Sequence, residues 1–240
     1  MIGFFGDSYI DANSKEKPSW PTMVSDSLNK TSDYYGMSGT SHWYSYEIFL
    51  KNYKKYNTIV FSHTSHSRWP HLPNAEIGHH WQIGNRIGYP SLRTSDLLKK
   101  LNSVYHDIFS DDLLNFLCGN IFKSINEICR DNNIHLINIF PFETEYDTTT
   151  DFVNIFNIDK ISWKEEMKYD NKKYIICKWL SNQQKLDPRC CHLNERNNII
   201  FSKIITDLIC DKVKNQSIDA LTYDWEYYDP NLDSELGKQK

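Results

Sequence analysis

Short, uninterrupted apolar runs closed by glycine or polar turns alternate along this chain with stretches whose apolar residues recur at helical spacing. Ile2 to Gly6 is the first such run, and Gly6-Asp7-Ser8 closes it; an unbroken apolar run of this length predicts a strand covered on both faces. A helix is expected from about Trp20 to Leu28, with Ser19 as its cap and Pro21 in its first turn. Asp33 to Met37 predicts a second strand, broken by Ser38-Gly39-Thr40, and Trp43 to Tyr56 a helix carrying Tyr46, Phe49, Leu50 and Tyr53 on one face. Ile59, Val60 and Phe61 mark a central strand within Asn57 to Ser62. A helix is predicted over Asp111 to Asn133, capped near Asp111 or Asp112, and a fourth strand over Ile134 to Phe140, stopped by Pro141. Two more helices are expected, from Trp163 through Leu180 and from about Glu195 to Lys212, the last capped by Asn194.

Two segments interrupt this rhythm. Residues 68–95 gather Pro, Gly, His and Trp without periodicity, and residues 142–161 form a second irregular insertion. Strands alternating with helices need crossover connections, which are almost always right-handed. The expected fold is therefore α/β, a three-layer α/β/α sandwich with a mostly parallel, flavodoxin-like sheet of about five strands. One domain is expected over residues 1–215, followed by an acidic, aromatic tail over residues 216–240 in which Tyr223, Trp225, Tyr227 and Tyr228 stand among carboxylates. That tail is a candidate surface for pairing copies of the chain.

A length of 240 residues, 40% of them hydrophobic, suffices for one large core. The formal net charge of −4 offers no basic footprint, so neither nucleic acid nor an anionic membrane surface is an expected partner. The start Met1-Ile2-Gly3-Phe4-Phe5 lacks the basic residues and longer apolar run of a secretory signal, and no stretch approaches transmembrane length. A cytoplasmic location is expected. Asn, Lys, Ile and Tyr are abundant in the way an AT-rich coding sequence makes them, as in a virus or a low-GC microbe; for a virus the compartment would be the host cytoplasm. The six cysteines contain no CxxC pair, which predicts reduced thiols rather than a zinc ribbon or a disulfide scaffold.

The turn after a first parallel strand is where α/β proteins place reactive groups, and a serine there can expose its hydroxyl and direct its own N–H at an oxyanion. Ser8 occupies that position. Asp and Ser also cap ordinary turns, and an isolated Gly-Asp-Ser favours that reading.

Three short blocks change the weighting. Phe4-Phe5-Gly6-Asp7-Ser8, Gly36-Met37-Ser38-Gly39-Thr40 and Asp187-Pro188-Arg189-Cys190-Cys191-His192-Leu193-Asn194 follow one another in an order that resembles the SGNH (GDSL-like) hydrolases. The resemblance implies Ser8 as nucleophile, His192 as its base, and the N–H groups of Ser8 and Gly39 as oxyanion donors. The Gly-x-Asn-Asp block that the family carries after the central strand is replaced by Ser62-His63-Thr64-Ser65-His66, so Thr64 or Ser65 would have to stand in for the asparagine donor. The nearest acid to His192 is Asp187, five residues before it instead of three. Either Asp187 orients the imidazole, or a main-chain carbonyl does so in a Ser8–His192 dyad.

Five histidines, His63, His66, His71, His79 and His80, fall within one window, with Glu76 as the only acidic neighbour. Their spacing fits no helical HExxH or other ligand pattern, so no metal and no other cofactor is expected. Arg68, Trp69 and Trp81 are candidate substrate contacts, since indoles stack on sugar faces and guanidinium pairs with carboxylate or phosphate; they serve equally well to staple the loop to the core.

The function expected from these residues and the resemblance is a serine-dependent carboxyl-ester hydrolase that removes small acyl groups, such as acetyl, from a carbohydrate or similar small substrate. Two rivals stand beside it. An acyltransferase would pass the same acyl group to an acceptor, and a catalytically degenerate scaffold would serve binding.

Overall fold

Every pairing in the main sheet is parallel, and its strand order departs from chain order at one place only, the start. The computed structural model describes residues 1–10, 19–37, 40–66, 110–142, 144–156, 158, 167–169, 172–174, 193 and 195–220. The strands are β1 (Ile2–Gly6), β2 (Ser32–Gly36), β3 (Thr58–Ser62), β4 (His135–Ile139), β5 (Val153–Phe156) and β8 (Ser217–Asp219), in spatial order β2-β1-β3-β4-β5-β8. The helices are α1 (Trp20–Leu28), α2 (His42–Asn52), α3 (Asp111–Asp131) and α4 (Glu195–Cys210). The expected α/β fold is present, with the 2-1-3-4-5 order of doubly wound sheets and a sixth strand at the edge.

The pleat sorts the side chains. Ile2 and Phe4 of β1, Val60 of β3, Ile137 and Ile139 of β4, and Val153 and Ile155 of β5 pack with Trp20 and Val24 of α1 and Phe201, Ile204, Ile205 and Leu208 of α4. Phe5, Ile59, Phe61 and Leu136 pack instead with Phe49 of α2 and Ile121, Ile125 and Cys129 of α3. Helices thus cover both faces, and β1, β3 and β4 contribute alternate residues to two cores. A buried side chain of this size adds about 1.5–3 kcal/mol relative to exposure, which is why strands of only five residues hold.

The helix ends follow capping chemistry. Ser41 accepts from Tyr44 N at 3.3 Å, so α2 begins one residue earlier than the apolar spacing predicts. Ser110, rather than Asp111 or Asp112, caps α3 by accepting from Leu113 N at 3.2 Å, while the two aspartates occupy the first turn. Ser19 is extended at the N-cap of α1 and Asn29 takes the left-handed conformation at its C-cap.

Three expectations are overturned. The insertion over residues 142–161 contains β5, whose buried Asn154 interrupts the apolar signal of Val153, Ile155 and Phe156. Within the helix expected through Trp163 to Leu180, the described residues instead form an antiparallel pair, β6 (Met167–Tyr169) and β7 (Lys172–Tyr174); the sequence Asp170-Asn171 is of a turn-favouring type, a signal the apolar spacing outweighed. Ser217–Asp219, at the head of the segment set apart as a tail, is the edge strand β8, buried only at Ile218.

Candidate active site

Because β1, β2 and β3 are parallel, their carboxyl ends lie on one edge, and the chain passes from β1 to β2 on one side and then crosses to β3 on the other. Ligands of doubly wound sheets bind at such a switch point. Gly6 pairs with Gly36 of β2, and Phe5 with Phe61 of β3. A Cβ on Gly6 would lie 2.7 Å from Ser62 Cβ and 2.7 Å from Ile10 Cγ1, at a φ of +155°. Glycine is the residue that lets the backbone turn so close to β3.

The turn it starts is held from within and from two sides. Ile10 N donates to Asp7 O at 3.0 Å and Tyr9 N to Asp7 Oδ1 at 3.1 Å. Thr64 Oγ1 donates to Asp7 Oδ2 at 2.7 Å, tying the end of β1 to the segment after β3. Trp20 Nε1 donates to Tyr9 O at 2.9 Å. Ser8 sits within this turn and is 4% exposed.

Trp20 connects the turn to the far end of the chain. Its main-chain N–H donates to Asn198 Oδ1 at 3.1 Å, and Asn198 Nδ2 donates to Leu193 O at 2.9 Å. Leu193 is 2% exposed and shares a core with Tyr9, Ile10 and Trp20. Residues adjacent in sequence to Ser8 and to His192 are therefore joined through two side chains.

His192, Asp187, Gly39, Arg68, Trp69 and Trp81 lie outside the described residues. Thr64 and Ser65 follow β3 at the expected edge; the single hydroxyl proton of Thr64 is committed to Asp7, and Ser65 is half-buried.

A second polar group was not legible as a unit. His42, the first residue of α2, places Nε2 2.8 Å from Nδ1 of His63, and His63 Nε2 is 2.9 Å from Asn138 Oδ1 on β4. Asn138 Nδ2 reaches Asn126 Oδ1 at 3.3 Å and Asn154 Oδ1 at 3.0 Å. Both rings are buried, with His63 stacked on Phe140 at 4.7 Å between centroids. Burial lowers the His42 pKa well below the usual imidazole value, with His63 adding to the shift. Burial also lowers His63, to about 4, partly opposed by its bond to Asn138. Among the described residues, His42 Nδ1 has no hydrogen-bond partner. The available signal was an asparagine in the middle of each of two apolar runs, at Asn138 and Asn154.

Among the described residues, no group of three or more His, Cys, Asp or Glu side chains is placed to hold a metal ion. Within the same residues no helix is long and apolar enough to cross a membrane. Cys118, Cys129 and Cys210 are free thiols, and burial pushes the first two up to about 12.

No family model, curated protein or solved structure matches the chain, so the resemblance to SGNH hydrolases rests on the short blocks alone and the chemistry is read from the residues and their geometry.

Proposed function

We propose that the chain is a serine-dependent carboxyl-ester hydrolase with Ser8 as nucleophile and His192 as base. The observation that carries this reading is the hydrogen-bonded path from Tyr9 through Trp20 and Asn198 to Leu193, which holds the neighbours of Ser8 and His192 in one core at the carboxyl edge of the sheet. In the proposed reaction His192 takes the Ser8 proton, Ser8 Oγ attacks the ester carbonyl, and the N–H groups of Ser8 and Gly39 receive the oxyanion. Thr64 or Ser65 is the proposed third donor, in place of the family's asparagine. The alcohol leaves with the proton from His192, and water then releases the acid. Asp187 or a main-chain carbonyl orients the imidazole.

Small acyl groups on a carbohydrate are the proposed substrates, with Arg68, Trp69 and Trp81 as contacts, and the cytoplasm the proposed location. Acetate release from aryl acetate and from acetylated sugars tests the reading. Turnover that needs an added sugar acceptor would identify an acyltransferase, and no turnover with either would overturn both.

One observation favours a binding protein on the same scaffold. Ser8 is nearly buried and the Thr64 hydroxyl is spent on Asp7. Retention of acetylated sugars without release of acetate would identify that case.

A further inference from the structure

The hydrogen-bond partners of three asparagines fix the position of every proton in the buried group around His63. Asn126 Nδ2 donates to Phe122 O at 2.7 Å and Asn154 Nδ2 donates to Thr148 O at 2.7 Å. Carbonyls only accept, so both amides are oriented with Oδ1 inward. Asn126 Oδ1 also accepts from Thr150 Oγ1 at 2.6 Å. Asn138 Nδ2 spends its two hydrogens on these two oxygens, which turns Asn138 Oδ1 toward His63 Nε2. That nitrogen must carry the hydrogen. In a neutral ring Nδ1 then accepts, and its partner at 2.8 Å, His42 Nε2, must donate. A bare lone pair remains on His42 Nδ1, in agreement with its lack of a partner among the described residues.

The topology brings this group to the same edge of the sheet as the Ser8 turn. His42 follows β2 and His63 follows β3, while β1 runs between those strands and leads into the Ser8 turn. His63 is held at both ring nitrogens and at its main-chain N–H, which donates to Ile139 O at 2.8 Å. The next residue, Thr64, holds Asp7.

We propose that His63 and His42, locked as neutral Nε2–H tautomers by Asn138, are positioning residues for the Ser8 turn, fixing through Thr64 the carboxyl group that shapes it. The catalytic consequence rests on the proposed role of Ser8; the proton order and the order of the turn do not. A neutral relay suits this task, since an added proton would turn one acceptor nitrogen into a buried donor facing another donor or no partner.

Nitrogen NMR of the histidine rings in the full chain is the first test. Nε2–H tautomers for both His42 and His63 are expected, and Nδ1–H in either ring overturns the proposal. The second test separates proton from bulk. His42→Leu keeps apolar volume and loses the donor, whereas His42→Gln can restore it. Hydrogen exchange at the Tyr9 amide, which reports the Asp7 turn without reference to chemistry, is expected to accelerate about tenfold or more in His42→Leu and Asn138→Leu, the scale of one lost buried hydrogen bond, and to be largely rescued in His42→Gln. Labelling of Ser8 by a fluorophosphonate should follow the same order. Unchanged exchange in folded His42→Leu, or a Leu variant better than Gln, overturns positioning. Exchange that responds as expected in a protein that no phosphonate labels would leave positioning standing and remove the nucleophile.

Discussion

Thr64 Oγ1 and Asp7 Oδ2 lie 2.7 Å apart, and this one bond joins the end of β1 to the end of β3 across the place where the sheet changes direction. Both residues are buried, so neither group has water as a substitute partner. Thr64→Val is expected to destabilise the fold by about 1–3 kcal/mol, the cost of leaving a buried acceptor short of a donor, and Thr64→Ser by much less. Urea midpoints of the two variants against the parent check this. Equal midpoints for Val and Ser would show the bond to be unimportant.

Gly6→Ala should be worse than its size suggests. The added methyl meets Ser62 Cβ and Ile10 Cγ1 at 2.7 Å, and Ser62 belongs to a central strand that cannot withdraw. A loss of about 1–3 kcal/mol is expected from overpacking alone. A thermal melt within a degree of the parent would mean that the turn relaxes freely.

Asn198→Leu removes the link between Trp20 and Leu193 while preserving bulk. It leaves the Trp20 N–H and the Leu193 carbonyl without their partner, a cost of about 1–3 kcal/mol. Ester turnover should fall further than Trp20→Phe makes it fall, because Trp20→Phe breaks only the bond to Tyr9 O. The kcat values of the two variants decide it, and a larger loss in Trp20→Phe would argue against the path to Leu193.

The stability of the protein should decline in mild acid. The His63 pKa is lowered from 6.5 to about 4 by burial, so between those values the unfolded chain binds a proton that the folded chain refuses. The contribution is intact above pH 6.5 and is lost as pH falls toward 4, by about 2 kcal/mol at pH 5 and about 3 kcal/mol in full. His42, also lowered, adds in the same direction. Urea unfolding at pH 7 and pH 5 should show a smaller difference for His63→Leu than for the parent; the same difference in both would place the acid sensitivity elsewhere.

The sequence was most legible where one physical signal dominated. Ile2 to Gly6 and Ile59 to Phe61 are apolar without interruption, Ile134 to Phe140 is apolar except at His135 and Asn138, and all three are central strands. β5 escaped because Asn154 must be polar to receive Asn138, and that same requirement makes Val153–Phe156 resemble a loop. β8 escaped because an edge strand with one buried residue leaves almost no pattern. Gly6-Asp7-Ser8 lies where its place in the chain predicts, after β1 at the carboxyl edge of the sheet. The commitment of Thr64 to Asp7 and the pairing of His42 with His63 depend on contacts across 57 and 21 residues, which no local spacing encodes.

Intact mass after treatment with a fluorophosphonate tests the central claim most directly, with Ser8→Ala and His192→Ala as controls. One adduct per chain is predicted for the parent, none for Ser8→Ala, and strongly slowed labelling for His192→Ala. No adduct on the parent, under conditions that label a serine esterase to completion, would contradict Ser8 as an activated nucleophile.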